Sequence, residues 1–359
     1  MKPLTNKMVR IWVYDGILAS GVAAPADVFT AANRFAANRF AAKTAAKTAA
    51  KGAAARCDRA PPSIAWRVES LNGAPVRAAS GQIIAVDGRI DGRNRADAIL
   101  LTAPFVGDMD DFVARRDQIE AVSSALRRQH AAGAVVATYC TGSYLLAEAG
   151  LLDARIATTH WTKAADFARR YPGVALRAAE VLTEQDRIVC GGAVTSFLNV
   201  ALRLVEAFFG PELAATTAKM LLIDTNRISQ VSYATLLDKH GHTDRLVAKA
   251  QRRMEATLAQ GFRLSELAAH LAVSERTLNR RFKGATGDAP LEYLQTLRIE
   301  VAKRLLEHGR LSFDAVSERV GYGDVSTFRT LFKRKTGLTP RDYQRRFART
   351  PRRGSAAAA

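Results

Sequence analysis

Cys140 lies in a segment where the sequence predicts the turn geometry of a nucleophile elbow. Residues 133–152, GAVVATYCTGSYLLAEAGLL, predict a buried strand, a turn at Cys140 and a helix that begins near Gly142. At a helix N-terminus the dipole lowers a thiol pKa, and exposed amides can hold an oxyanion. This is the geometry of a nucleophile elbow, for which His160 in IATTHW is the candidate partner. A cysteine retained only as part of a pocket is the favoured interpretation, and a catalytic nucleophile is the alternative.

A second chemical pattern recurs in the last third of the chain. Shifting the sequence by 50 residues aligns seven identities within positions 274–293, among them Phe282 with Phe332 and Gly287 with Gly337. Chance gives about one or two. Each copy predicts a short helix, a tight turn and a second helix, and a long helix over residues 290–309 joins the two copies. The pattern therefore predicts a duplicated helix-turn-helix.

The second helix of each copy predicts one apolar and one polar face. Leu278 and Phe282 face inward in the first copy, as Phe328 and Phe332 do in the second. The opposite faces carry Arg276, Asn279, Arg280 and Lys283 in one helix and Ser326, Arg329, Thr330 and Lys333 in the other. Side chains of these types read base edges in a major groove, and two such helices would enter successive groove segments. A basic bundle with solvated arginines is the less favoured alternative.

Charge is distributed unevenly along the chain. The 359 residues include 53 Lys and Arg against 34 Asp and Glu, a formal net charge of +19. Residues 241–359 hold 24 basic and 12 acidic side chains, and residues 31–56 hold six basic and no acidic ones. This excess of basic residues in the C-terminal third indicates a polyanionic partner, and nucleic acid is the usual partner of soluble basic domains. The hydrophobic content of 48% excludes wholesale disorder.

Other classes are disfavoured by composition. The longest charge-free stretch, residues 131–147, is too short and too polar to span a bilayer, so no membrane partner is expected. The start MKPLTNKMVRIWVYDG lacks the apolar core of a secretory signal. Three cysteines cannot build a disulfide framework, which predicts a cytoplasmic protein. His240 and His242 lack a third ligand nearby, so neither a metal nor a cofactor is predicted.

The elements that position these residues divide the chain into domains. Strand and helix patterns alternate from residue 61 to about 224, which predicts a mostly parallel sheet with helices on both faces. We place this α/β domain at residues 1–225, with an Ala-rich duplicated insert at 31–56 that forms a helix extension or a disordered loop. A linker follows at 226–244, then an all-α domain at 245–348 and a disordered tail at 349–359.

The all-α segment resembles the DNA-binding domain of AraC/XylS-type bacterial regulators. FDAVSERVGYGDVSTFRTLFKRKTGLTPRDYQRRF carries the resemblance most specifically. The resemblance implies that exposed residues of both recognition helices contact the bases of promoter or operator DNA: Arg276, Asn279 and Arg280 in the first, and Val325, Ser326, Arg329 and Thr330 in the second. Arg281, Lys283, Lys333 and Arg334 are better placed for phosphates.

The segment TYCTGSYLLAEAGLLDARIATTHW is similar to the elbow of PfpI-like proteins of the type-1 glutamine amidotransferase-like superfamily, in particular GlxA-type regulators. This resemblance implies a flavodoxin-like domain that binds a small-molecule effector near Cys140, Thr141, His160 and Thr195. Enzymes of the superfamily also use an acid after the first strand, where this chain has Gly21, and Thr141 replaces a histidine. We therefore predict a ligand-sensing regulator and no enzyme.

Several interpretations remain open from the sequence. A cysteine-dependent PfpI-like hydrolase or hydratase with a basic helical appendage is the alternative to a regulator, and a nonspecific architectural DNA binder is a third class. The resemblance implies a homodimer whose DNA-bound form is associated with the nucleoid, with RNA polymerase as a further partner.

Overall fold

The chain forms two compact units, Met1–Gln230 and Val231–Ala359. The computed structural model describes residues 6–51, 60–91, 93–225, 230, 244–307 and 311–348. The division falls inside the linker predicted at 226–244. Most of that linker, the end of the Ala-rich insert, His240, His242 and the predicted tail at 349–359 lie outside the described residues.

The first unit is built on a mostly parallel sheet. Its strands are β1 (Lys7–Val13), β2 (Ile64–Ser70), β3 (Val76–Arg77), β4 (Ile83–Ile84), β5 (Gly88–Arg89), β6 (Ala98–Leu101), β7 (Val135–Tyr139), β8 (Ile156–Ala157), β9 (Ala175–Leu176), β10 (Leu182–Gln185) and β11 (Ile188–Gly191). The main sheet has the order β10-β11-β7-β6-β1-β2-β5. In it only β10 is antiparallel, paired with β11 in a hairpin, as the pattern of residues 181–192 predicts. The central order β2-β1-β6-β7-β11 is that of flavodoxin-like folds, which confirms the predicted class.

Helices cover both faces of this sheet, as predicted. They are α1 (Ser20–Lys51), α2 (Met109–Val113), α3 (Arg116–Ala131), α4 (Ser143–Glu148), α5 (Ala164–Arg170), α6 (Ser196–Phe209) and α7 (Pro211–Met220). One buried cluster joins the sheet to α1, α6 and α7, and another joins it to α2, α3 and α4. The sheet strands are therefore apolar on both sides, as buried parallel strands are.

Two helices differ in detail from the sequence prediction. Residues 111–133 have the sequence pattern of a single amphipathic helix, but α2 ends at Val113 and α3 begins at Arg116, because Arg115 leaves helical geometry at φ −77° and ψ 59°. The Ala-rich insert continues α1 as far as Lys51, so of the two expected forms the described part is the helix extension. Ala32 and Ala36 pack in the core, and beyond them Arg39 pairs with Glu212 at 2.5 Å.

The second unit is helical throughout its described residues. Its helices are α8 (Arg245–Ala256), α9 (Leu264–His270), α10 (Glu275–Thr286), α11 (Pro290–Glu307), α12 (Phe313–Arg319), α13 (Val325–Thr336) and α14 (Pro340–Phe347). Helices α9–α10 and α12–α13 are the two predicted helix-turn-helix copies, and α11 is the predicted joining helix. Two separate hydrophobic clusters form, one for each copy, and α11 contributes to both.

Candidate nucleic-acid interface and elbow site

The two recognition helices, α10 and α13, begin and end in the same way. Ser274 accepts a hydrogen bond from the Thr277 amide, and Asp324 accepts bonds from the Ser326 and Thr327 amides. Gly287 and Gly337 follow the helices with φ of 80° and 74°, the left-handed conformation that glycine adopts without strain. Both ends are thus fixed by local sequence, and the repeat could reveal them because identical glycines recur 50 positions apart.

The first recognition helix has one buried and one open face. Leu278 and Phe282 are fully buried. Arg276, Asn279 and Arg280 are exposed, and within the described part of the chain their side chains form no hydrogen bond or ion pair. Their donors and acceptors are therefore available to base edges in the pattern that major-groove reading requires.

Arg281 differs from these neighbours. Its guanidinium forms two hydrogen bonds with Asp244, at 2.8 and 2.6 Å. The same carboxylate caps α8 by accepting from the Leu246 and Val247 amides. The bond from Arg281 lowers the pKa of Asp244 to about 2. Arg281 thus holds α10 against the start of α8, and the phosphate contact predicted for it would compete with this pair.

The second recognition helix presents a less basic open face. Phe328 and Phe332 are fully buried. Ser326 and Thr330 are exposed, and the Thr330 hydroxyl donates to the Ser326 carbonyl at 3.1 Å. Arg329 lies over the Phe313 ring at 5.6 Å, while Val325 is half-buried. This helix offers hydroxyls, one arginine and an apolar edge, so the two copies present different chemistry.

Three further basic side chains flank these faces. Lys283, Lys333 and Arg334 are exposed, and no ion pair involves them among the residues described. Long flexible cations at such positions suit phosphate oxygens, which orient a protein without specifying sequence. Their assignment to phosphates stays a prediction.

The elbow at Cys140 has the predicted strand–turn–helix geometry. Cys140 follows β7 and has φ 55°, an uncommon value for a residue other than glycine. The hydroxyls of Ser143 and Thr159 each lie 3.2 Å from the Cys140 carbonyl oxygen. Thr141 donates to the Pro104 carbonyl at 2.6 Å. These contacts hold the turn rigidly at the carboxyl edge of the sheet.

The predicted activation of the Cys140 thiol is wrong. The side chain is buried, and burial raises the thiol pKa to about 11, against the opposing effect of hydrogen bonds from Thr141. The expectation rested on the helix dipole, which acts here through a single 3-10 turn, Cys140–Gly142, and a six-residue helix. Desolvation of the charged form outweighs that dipole.

The space beside Gly21 is occupied by the Tyr139 side chain. A Cβ atom at Gly21 would overlap the Tyr139 hydroxyl and come within 2.9 Å of the Tyr139 Cζ atom. Tyr139 itself is buried and packs edge-on against Phe197. Any side chain at position 21 would therefore displace this tyrosine. The packing of Tyr139 thus excludes an acidic side chain at this position.

The remaining predicted elbow residues lie in neighbouring loops. His160 Nδ1 lies 2.8 Å from the Thr162 hydroxyl and accepts from the Thr162 amide, and its ring stacks on Trp161. Thr159, the residue before it, reaches the Cys140 carbonyl. Thr195 is exposed and precedes α6. These positions border the elbow, while their roles as ligand contacts stay predictions.

Gln230 adds a contact that the sequence did not reveal. Its side chain is fully buried, and Nε2 donates to the carbonyls of Thr159 at 2.9 Å and Ala178 at 2.6 Å. A Cβ atom at Gly192 would meet the Gln230 amide at 2.6 Å, so the glycine makes room for it. The last residue of the first unit is therefore anchored in the loop that bonds the elbow. Gln230 is the one glutamine of the predicted linker, and nothing in the adjacent sequence indicates that its side chain is buried.

Two negative findings apply to the described residues. No helix among them is long and apolar enough to cross a membrane. Among the same residues, no group of three or more His, Cys, Asp or Glu side chains is arranged to hold a metal ion.

Comparison with known proteins matches both units. The model of the DJ-1/PfpI family matches residues 22–207, and that of a helix-turn-helix domain matches residues 267–346. The chain is 29% identical over 294 residues to the HTH-type transcriptional regulator CdhR of Pseudomonas aeruginosa, and the matched region covers 80% of each chain. It is 30% identical over 241 residues to the HTH-type transcriptional regulator ArgR of the same organism, covering 66% of this chain and 70% of that one. It is 25% identical over 224 residues to the HTH-type transcriptional regulator GlxA of Rhizobium meliloti, covering 62% and 69%.

The fold, the paired recognition helices and these relatives define a DNA-binding transcription regulator. An α/β unit with an elbow precedes an AraC-type helix-turn-helix unit, the combination predicted from the sequence. The chain belongs to the DJ-1/PfpI family and fits its GlxA-type regulators.

Proposed function

We propose that this regulator reads operator DNA through the open faces of α10 and α13, under the control of a small molecule bound in the α/β unit. The observation that carries DNA reading is the row of exposed side chains Arg276, Asn279 and Arg280, which have no partner among the described residues and lie on a helix capped at both ends. Arg bonds guanine bidentately, and Asn bonds adenine in the same way.

Substitution of one base-reading arginine tests this assignment. We expect Arg280→Ala to weaken binding to the protein's own upstream DNA by about 1–3 kcal/mol and to relax preference at one base pair. Arg127→Ala is the matched control, because it removes one positive charge from α3 of the first unit, where Arg127 pairs with Glu120. Titration at raised salt, with specific and scrambled DNA, gives the readout.

Each outcome of that titration has a definite meaning. Equal losses for Arg280→Ala and Arg127→Ala would contradict base reading by α10. Equal affinity of the unsubstituted protein for specific and scrambled DNA at raised salt would indicate a nonspecific architectural binder, because phosphate contacts alone weaken steeply there.

Effector binding is supported by a cavity of about 290 Å³ in the first unit. It lies at the carboxyl ends of β1 and β2, where open α/β sheets bind ligands. Its floor is apolar, with Val13 and Val122 among the buried side chains. Arg115 lines it, and within the described ranges its side chain forms no hydrogen bond or ion pair, so its guanidinium is free for an acidic group.

A larger cavity of about 690 Å³ carries less support. It lies between β10 and the helices α6 and α7. Its arginine, Arg203, is already paired with Glu184 and Glu206. The elbow candidates Cys140, Thr141, His160 and Thr195 line neither of these two cavities, and they remain the alternative effector site.

Four finer assignments complete the proposal: absence of catalysis, dimerisation, a cytoplasmic location on chromosomal DNA, and contact with RNA polymerase. The chain acts without catalysis, since the Cys140 thiol is protonated at neutral pH and Gly21 replaces the acid. It works as a homodimer on chromosomal DNA in the cytoplasm, and it contacts RNA polymerase there. Turnover of an ester or aldehyde that Cys140→Ser abolishes, together with unaltered DNA binding by Arg280→Ala, would instead favour the hydrolase or hydratase alternative.

A further inference from the structure

The two recognition helices belong to different hydrophobic cores. Leu278 and Phe282 of α10 pack in the first core, and Phe328 and Phe332 of α13 pack in the second. Helix α11 spans both, with Tyr293 and Leu294 in the first core and Ile299, Ala302 and Leu306 in the second. Among the described residues no single core contains both α10 and α13, so the angle between them depends on α11 and on the contacts at the boundary between the two cores.

Arg298 lies at this boundary, between Leu294 and Ile299 of α11. Its side chain is 8% exposed, although it carries a full charge. Nε donates to the Leu258 carbonyl at 2.9 Å, and Nη2 donates to the Gln260 carbonyl at 2.6 Å. Burying such a charge is costly unless its donors are satisfied, so these two bonds hold the turn after α8 in place.

The same guanidinium also contacts the second copy. It lies over the Tyr322 ring, 5.1 Å from the ring centroid. Tyr322 belongs to the turn between α12 and α13 and stacks on Phe328 of the recognition helix. A desolvated cation over an aromatic face is a directional contact. Arg298 therefore joins a turn of the first copy to the turn that carries α13.

A close approach of backbone supports the same junction. Gly321 has φ +85°, and a Cβ atom there would lie 2.5 Å from the Ala259 carbonyl oxygen. The equivalent position in the first copy, counted from the preceding helix, is Ala272 with φ 53°. An alanine thus tolerates the turn conformation itself. The second copy requires glycine because its turn packs directly on residue 259.

We propose that Arg298, together with the contact of Gly321 on Ala259, sets the relative orientation of α10 and α13 and thereby the half-site spacing that both helices can bind at once. Arg298 is a positioning residue, since its burial keeps it from DNA. The proposal rests on DNA reading by both helices. Helices that enter successive major grooves must match a repeat of about 10–10.5 base pairs, so a changed angle alters the preferred spacing.

The experiment uses the full chain with Arg298→Lys, which keeps the charge and loses the forked bonds and the stacking plane. DNA affinity is measured on the native operator, on operators with one or two base pairs inserted or deleted between half-sites, and on operators with one half-site scrambled. We expect about tenfold weaker binding at native spacing, a flatter spacing profile and at most about twofold loss on the scrambled operators. Arg319→Lys, an exposed residue of α12, is the control and should match the unsubstituted protein.

A second variant covers loss of folding. Tyr322→Leu removes the stacking face and should flatten the spacing profile in the same direction by a smaller factor. An unchanged spacing preference in whichever of the two variants folds, or equal losses on intact and scrambled operators, would overturn the proposal. If the unsubstituted protein fails to distinguish its operator from scrambled DNA, the proposed function is refuted, and the premise of this proposal is refuted with it.

Discussion

Burial determines the chemistry of Cys140 more strongly than its place at a turn does. With a pKa raised to about 11, the thiol stays protonated through the neutral range, and thiolate forms only as the pH rises toward that value. We expect iodoacetamide to modify Cys140 with a midpoint near pH 11 and very slowly at pH 7.5, since the thiolate is the nucleophile. Peptide mass mapping across a pH series measures this for each cysteine separately.

Cys190 provides an internal comparison for that experiment. It is 1% exposed, and burial raises its pKa to about 12, so it should react later in the series than Cys140. Modification of Cys140 with a midpoint below pH 8 would mean an activated thiol, and the elbow would then have to be reconsidered as a nucleophile.

At the scale of single elements, the end of α10 provides a paired test of backbone conformation. Gly284 lies inside the helix with open space around its missing Cβ, and Gly287 lies just after the helix with φ +80° and equally open space. Gly284→Ala should raise the free energy of unfolding by about 0.5–1 kcal/mol, because alanine loses less backbone freedom. Gly287→Ala should lower it by about 1 kcal/mol, because a Cβ atom disfavours the left-handed region.

Urea unfolding followed by the helical circular dichroism signal measures both changes. Since neither new methyl group meets another atom within 4 Å, packing contributes to neither value. Changes of the same sign in the two variants would contradict the assigned end of the helix.

Sequence-based prediction was accurate for features that nearby residues determine and failed for features that depend on packing between distant segments. The turn glycines and the buried pairs of α10 and α13 depend on residues within a few positions, and the internal repeat shows both features twice. The thiol pKa of Cys140 depends on packing by distant strands, so its predicted direction was wrong. Arg298 was missed for a similar reason, because its partners Leu258 and Gln260 lie about 40 residues away and are backbone carbonyls.

At the scale of the whole molecule, effector control predicts that sensing and DNA reading can be separated by mutation. A reporter fused to the protein's own promoter, grown on a panel of single carbon and nitrogen sources, measures the response. We expect Arg115→Ala to reduce it about tenfold, the effect of losing a hydrogen bond to a charged group, without changing operator affinity in the absence of effector. Arg116→Ala is the matched control, since the adjacent Arg116 pairs with Glu148 on the surface.

The same reporter experiment also tests the elbow as the alternative effector site. A normal response in Arg115→Ala combined with a lost response in Cys140→Ala would place the effector at the elbow. A normal response in both variants would contradict effector binding at either place.

The unequal chemistry of the two recognition faces has a consequence for promoter architecture. One face offers two arginines and an asparagine, and the other offers two hydroxyls, one arginine and a valine edge. A single chain that carries both in fixed order along α11 cannot read a site the same way from both ends. Under the proposed base reading, the stretch of DNA that one chain recognises is therefore asymmetric and has a direction. Reversing one of the two stretches bound by the proposed homodimer would convert a direct repeat into an inverted repeat, and so would require a different arrangement of the two chains.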